Sequence, residues 1–155
     1  MPAMSKPAYL LLVTFISVFL GSCVGMPEGV RRGLQNVTAD YSLREDGGIR
    51  VINSGYSIRN NETESVEGKA YFENDPDEGY LKVSFFGPFY GSYVIFELDK
   101  EEYQYAFITS YSKSYLWLLS RTPAVSKELV DHFINRAREL GFSTDDLIFV
   151  EHNEK

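Results

Sequence analysis

The chain is poor in the residues that carry most protein chemistry: 1 Cys, 1 Trp and 2 His among 155 residues. One cysteine cannot close a disulfide within the chain, so the fold must stand on its core. His132 and His152 have no Cys or second His at ligand spacing, and no metal is expected. Basic residues are outnumbered, 15 Lys and Arg against 22 Asp and Glu, for a formal net charge of −7. Phosphate recognition needs a basic face, so no nucleic-acid partner is expected. No nucleophile elbow, phosphate loop or dinucleotide fingerprint is present, and the acidic clusters at 75–78 and 101–102 read as solvated turns. Neither an enzyme nor a cofactor is expected. The apolar run 8–20 is 13 residues long, short of the roughly 20 that a transmembrane helix needs.

That run is nevertheless informative. Lys6 precedes it, Gly21 and Ser22 follow it, and the order of charge, apolar stretch and small residues is that of a secretory signal. The lone Cys23 comes directly after, which is the pattern of a bacterial lipoprotein box. There the thiol carries a thioether-linked diacylglycerol, and the amine freed by cleavage takes a third acyl chain. One acyl chain holds a protein marginally at a membrane, whereas two or more hold it stably. The expectation is a signal peptide over 1–22, lipid attachment at Cys23 and a linker over 23–33. Cleavage removes Lys6 alone among the charged residues, leaving a net charge of −8. Electrostatic docking on anionic lipid is therefore disfavoured, and the acyl anchor is the expected membrane contact. Val24, rather than Asp, follows the cysteine. By the familiar bacterial sorting rule this favours the outer membrane, on its periplasmic side.

What the chain has in quantity is aromatic side chains, 11 Phe and 11 Tyr, which favour strands and large buried areas. Residues 37–43 and 66–73 alternate with period two, the mark of a half-buried strand. Further strands are expected over 49–56, 80–86, 92–99, 105–112 and 115–121, separated by turns such as Asp46-Gly47-Gly48 and the segment 74–79. Their spacing suits an antiparallel barrel or sandwich. Then the period changes. Leu129, Val130, Phe133, Ile134 and Ala137 fall at helical spacing, with Ser126 as N-cap and Gly141 past the C-terminus, predicting a helix over about 126–140. Residues 147–150 read as a last strand, within one domain over 34–152 that ends in a tail, 153–155.

A series of strands, one helix and a last strand resembles the lipocalin order. Asp40-Tyr41-Ser42-Leu43, Gly68-Lys69-Ala70 and the run from Leu81 to Gly91 resemble bacterial outer-membrane lipoprotein lipocalins and their apolipoprotein D-type relatives. Leu116-Trp117-Leu118-Leu119-Ser120-Arg121-Thr122-Pro123 matches the third lipocalin motif, with Arg121 as its arginine. Asp99 and Tyr103 partly match the second. The first motif, Gly-x-Trp on the first strand, is missing. The resemblance thus implies a mainly β fold: an up-and-down antiparallel lipocalin-type barrel, incomplete at its first strand, with one C-terminal helix and a final short strand. The place of the first strand is empty or otherwise filled, and Arg121 lacks the Trp on which it would pack.

The implied ligand is apolar, a fatty acid or lysophospholipid, stored or carried in the cell envelope. Tyr41, Phe72, Val83, Phe85, Phe107 and Trp117 are the expected lining, together with Val37 and Ala39. Phe89 and Tyr90 would stand on a loop at the mouth or form a homodimer patch, and Tyr41 or Tyr111 would meet a polar head group. The competing expectation is an inert structural lipoprotein whose damaged barrel binds nothing.

Overall fold

The computed structural model describes the backbone of residues 16–20 and the whole of residues 34–152. Cys23, the linker 23–33 and the tail 153–155 lie outside the described residues. The strands are β1 (Ile16–Leu20), β2 (Leu34–Leu43), β3 (Ile49–Ser57), β4 (Glu62–Phe72), β5 (Tyr80–Ser84), β6 (Gly91–Leu98), β7 (Tyr105–Thr109), β8 (Leu116–Ser120) and β9 (Ile148–Phe149). The helix α1 (Lys127–Glu139) lies between β8 and β9. From β2 to β8 each strand pairs antiparallel with the next, and the sheet continues through β1 to β9. Its two ends meet where the β2–β3 register slips between Gln35 and Thr38. There Asn36, at φ 52°, donates its N–H to the Glu151 carbonyl at 2.9 Å.

β1 decides a point that the sequence leaves open. The first-strand position is filled, and the occupant comes from the apolar run otherwise read as a leader. Ile16–Leu20 pairs in unbroken register with Ser120–Leu116, and Val18 and Phe19 also pair with Phe149 and Ile148. The physical reason lies in β8. Its sequence, Leu-Trp-Leu-Leu-Ser, has no charge and no proline, and natural sheet edges are guarded by such devices. An extended apolar segment laid beside it satisfies the row of N–H and C=O groups that would otherwise face solvent.

The turns follow their chemistry. In the β2–β3 hairpin Gly47 sits at φ 79°, which an L side chain resists, and Asp46 accepts from the Gly48 N–H at 3.1 Å and from the Tyr71 hydroxyl at 3.0 Å. The Arg44 guanidinium, and then the Gly48 N–H, hold the Asp46 carboxyl well below the usual range. In β4, Gly68 is required by close approach: a Cβ there would lie 2.6 Å from the Phe85 ring. The helix starts where Ser126 Oγ accepts from the Leu129 N–H at 3.2 Å. It ends in a Schellman pair, the Phe142 N–H to the Ala137 carbonyl and the Gly141 N–H to the Arg138 carbonyl, with Gly141 at φ 80°.

The apolar interior is divided in two by the sheet. Phe107, Leu116, Leu118, Phe133 and Ala137 form a solid core between the sheet's outer face and α1. On the inner face Ile49, Val51, Ala70 and Leu81 form one cluster, and Ala106, Ile108 and Leu119 another. No helix among the described residues is long and apolar enough to cross a membrane.

Candidate ligand-binding site

Inside the curled sheet is a cavity of about 2030 Å³. That exceeds the roughly 300–1,000 Å³ of ordinary small-molecule sites. Alternation builds its wall. β2 contributes Val37, Ala39 and Tyr41, β4 contributes Val66, Ala70 and Phe72, with Gly68 between the first two on the same face, and β5 contributes Leu81 and Val83. Most of the expected residues meet here: Tyr41, Phe72, Val83, Phe85 and Trp117 line the wall, and Phe89, Tyr90 and Tyr111 line one end. Tyr111 and Phe89 are 85% and 75% exposed, so they border the cavity rather than fill it.

Phe107 is the exception and corrects the expectation. It is fully buried on the other side of the sheet, its ring 4.9 Å from that of Phe133 in an edge-on pair, under α1. The phase of β7 is inverted relative to the sequence reading. The reason is that α1 covers the outer face here, so Tyr-Ala-Phe-Ile-Thr is apolar on both sides and alternation carries no direction. The neighbours Ala106 and Ile108 face inward instead, beside Trp117 and Tyr93.

The sequence reading missed Tyr93. Its hydroxyl lies 3.1 Å from that of Tyr41 in the wall of the cavity. Burial, and then the Tyr41 hydroxyl, push the Tyr93 phenol well above its ordinary value, so Tyr93 stays neutral and acts as a hydrogen-bond partner rather than as a charge. Tyr93-Val94-Ile95-Phe96 is apolar at four successive positions, so the period of this strand gave no inward direction. Thr38, Asn53, Ser54 and Ser92 add further polar atoms to the wall, and charged side chains, among them Asp77, Glu78, Glu102 and Arg121, line it toward the other end.

The three motif residues converge at the opposite end from Phe89 and Tyr111. Asp99 accepts from the N–H groups of Gln104, Glu101 and Glu102, chiefly Gln104, and these bonds lower its pKa. Tyr103 is held at φ 56°, and its carbonyl accepts from Arg121 Nε. Arg121 thus clamps the β6–β7 connection to the end of β8. His132 is engaged as well, with Glu97 through Nε2 and with the Phe107 ring at 5.4 Å. No cluster among the described residues has the groups to hold a metal ion.

Residues 23–152 match the lipocalin-like domain family. The chain is 48% identical to the outer membrane lipoprotein Blc of Vibrio cholerae over an alignment of 166 positions, covering 91% of this chain and 97% of that protein. That alignment is longer than the 155 residues present here, so the relative carries residues that this chain lacks. Identity is 50% with the Citrobacter freundii protein of the same name, over 77% of this chain and 67% of that protein. It is 37% with temperature-induced lipocalin-1 of Arabidopsis thaliana, over 70% of this chain and 61% of that protein. Among solved structures, H1 crustacyanin of the lobster Homarus americanus superposes with a TM-score of 0.70 at 17% identity, covering 96% of this chain and 81% of that one. The siderocalin Ex-FABP superposes at 0.64 with 15% identity, covering 92% and 95%. At such identities these two speak to the fold alone.

Proposed function

The chain belongs to the lipocalin family, and from that premise we propose that it is a lipid-binding lipoprotein of the bacterial outer membrane that holds one fatty acid or lysophospholipid in its cavity. The observation that carries this reading is the mostly apolar hollow of about 2030 Å³ with the Tyr41–Tyr93 hydroxyl pair in its wall. An acyl chain buried there leaves water, and sixteen carbons gain up to roughly 12 kcal/mol at about 0.8 kcal/mol per methylene. Association and ordering subtract several kcal/mol from that figure. The aromatic residues at one end suit a chain threading inward, while the hydroxyls and amides of the wall suit an ester or carboxyl group.

The outer-membrane location agrees with relatives that are named outer membrane lipoproteins. In our reading Cys23 carries the anchor. The thioether forms on the thiol whether or not the chain is cut, and only the cut would withdraw β1 from the sheet.

The test is displacement of a fluorescent fatty acid from the refolded protein by palmitate and by lysophosphatidylethanolamine, paired with mass spectrometry of lipid extracted from the purified protein. Saturable binding with one site per chain is expected. Absence of both displacement and co-purified lipid would overturn the reading and leave the inert structural lipoprotein in its place.

A further inference from the structure

The two ends of the sheet differ in chemistry. At one end lie the hairpin connections 44–48, 73–79 and 99–104, which hold nine carboxylates against Arg44 and Lys100, a formal charge of −7. At the other lie 58–61, 85–90 and 110–115, which hold no carboxylate and two cations, Arg59 and Lys113. This second end also displays large apolar side chains: Ile58 is 55% exposed, Phe86 54%, Phe89 75% and Tyr111 85%. Lys69 Nζ stands 5.9 Å from the Tyr90 ring centroid beside them. Acids near this end lie outside the three connections, Glu62 and Glu64 at the start of β4 and Asp145 and Asp146 ahead of β9. The three connections themselves, with exposed aromatic and aliphatic side chains, cations and no acids, suit the head-group region of a bilayer better than the acidic connections do.

Chain direction points the same way. Leu20, the last residue of β1, pairs with Leu116, the residue that follows connection 110–115. Leu34, the first residue of β2, pairs with Ser57, the residue before connection 58–61. The chain therefore leaves the sheet and re-enters it at the apolar end. Cys23 lies between these two points, three residues past Leu20 in the uncut chain, about 11 Å of extended backbone at most, and eleven residues before Leu34 whether or not the chain is cut.

We propose that the apolar end rests on the lipid surface, with Phe86, Phe89, Tyr90 and Tyr111 in the interface, so that the cavity opens onto the bilayer from which its ligand comes. This rests on the reading of Cys23 as the anchor but asks a different question, namely which end faces the membrane. The partner is a lipid bilayer; a second copy of the chain is the competing occupant, and the experiment distinguishes the two.

The experiment attaches the protein through Cys23 to vesicles of phosphatidylethanolamine and phosphatidylglycerol. Its own acyl groups are used where mass spectrometry finds them, and a maleimide lipid where it does not, so an unmodified Cys23 sinks the anchor without deciding orientation. In a Trp117→Phe background, single probes are placed by Phe89→Trp, Tyr111→Trp and, at the acidic end, Leu43→Trp, which replaces a residue 59% exposed. Brominated lipid should quench the first two probes roughly twofold or more beyond the third, because interfacial side chains sit about 5–10 Å into the head-group boundary. Circular dichroism and urea unfolding establish that each variant is folded. Equal quenching at all three positions, or stronger quenching at Leu43→Trp, overturns the proposal. Quenching absent at Phe89→Trp and Tyr111→Trp, with energy transfer between labelled copies instead, assigns this end to a dimer and overturns it equally.

Discussion

Phe107 and Ala39 test the division between solid core and hollow. Phe107 is fully buried, paired edge-on with Phe133 and 5.1 Å from the Tyr105 ring, all outside the cavity. Phe107→Ala removes a packed ring and leaves a void, at a cost of about 3–5 kcal/mol. Against a total of about 5–15 kcal/mol the variant is weakened but can still fold. With a urea slope of about 2 kcal/mol per M, a 4 kcal/mol loss moves the unfolding midpoint down by about 2 M with the slope unchanged. Ala39→Trp acts oppositely. Ala39 is half-buried and faces the hollow, so an indole there occupies ligand space and touches none of the helix core. Its urea midpoint should stay near that of the parent, while fluorescent fatty-acid binding falls by at least tenfold, the equivalent of about 1.4 kcal/mol. Urea titration and ligand titration on the same two samples decide the matter. Full stability with lost binding in Phe107→Ala, or undiminished binding in Ala39→Trp, would refute the assignment of faces.

The other expectations are shorter. Tyr41→Phe leaves the buried Tyr93 hydroxyl without this partner and should cost about 1–3 kcal/mol by urea titration. Adding Tyr93→Phe should restore part of that loss, and a purely additive double variant would count against coupling. Val18→Pro should unzip β1: Val18 has a partner strand on each side, Leu118 and Phe149, so whichever one its N–H faces, proline removes a ladder donor. Hydrogen exchange at 116–120 should then quicken, and unchanged protection would mean that β8 does not depend on β1. Burial holds the His152 imidazole below its ordinary pKa, and Nε2 has no partner among the described residues. The fold thus prefers the neutral ring, so stability is full above the unfolded value of about 6.5 and declines as pH falls below it. Thermal unfolding at about pH 7.5 and 5.5 should separate the parent more than it separates His152→Gln.

Most of the sheet was legible because most of its strands have one covered face. In 37–43 and 66–73 polar residues alternate with apolar ones, and the cavity lies on the apolar side, as read. The helix was legible from its stripe and its caps, since both are local. Tyr93 was not legible, because its strand is apolar on both sides from Tyr93 to Phe96 and period alone gives no direction. The charge contrast between the two ends was also present in the turn sequences, although only the pairing order says which turns share an end.

The sequence by itself determined the strands, the helix, the turn residues and the family, because these rest on period, capping and motif, all properties of neighbouring residues. Two matters were decided only in three dimensions. The inward face of β7 depends on α1, which covers its outer side from some twenty residues further along the chain. The strand beside β8 depends on whichever segment can lie along an uncharged apolar edge, and Ile16–Leu20, a hundred residues away, does so. In both cases the physical cause is burial by a distant partner, which no local pattern encodes.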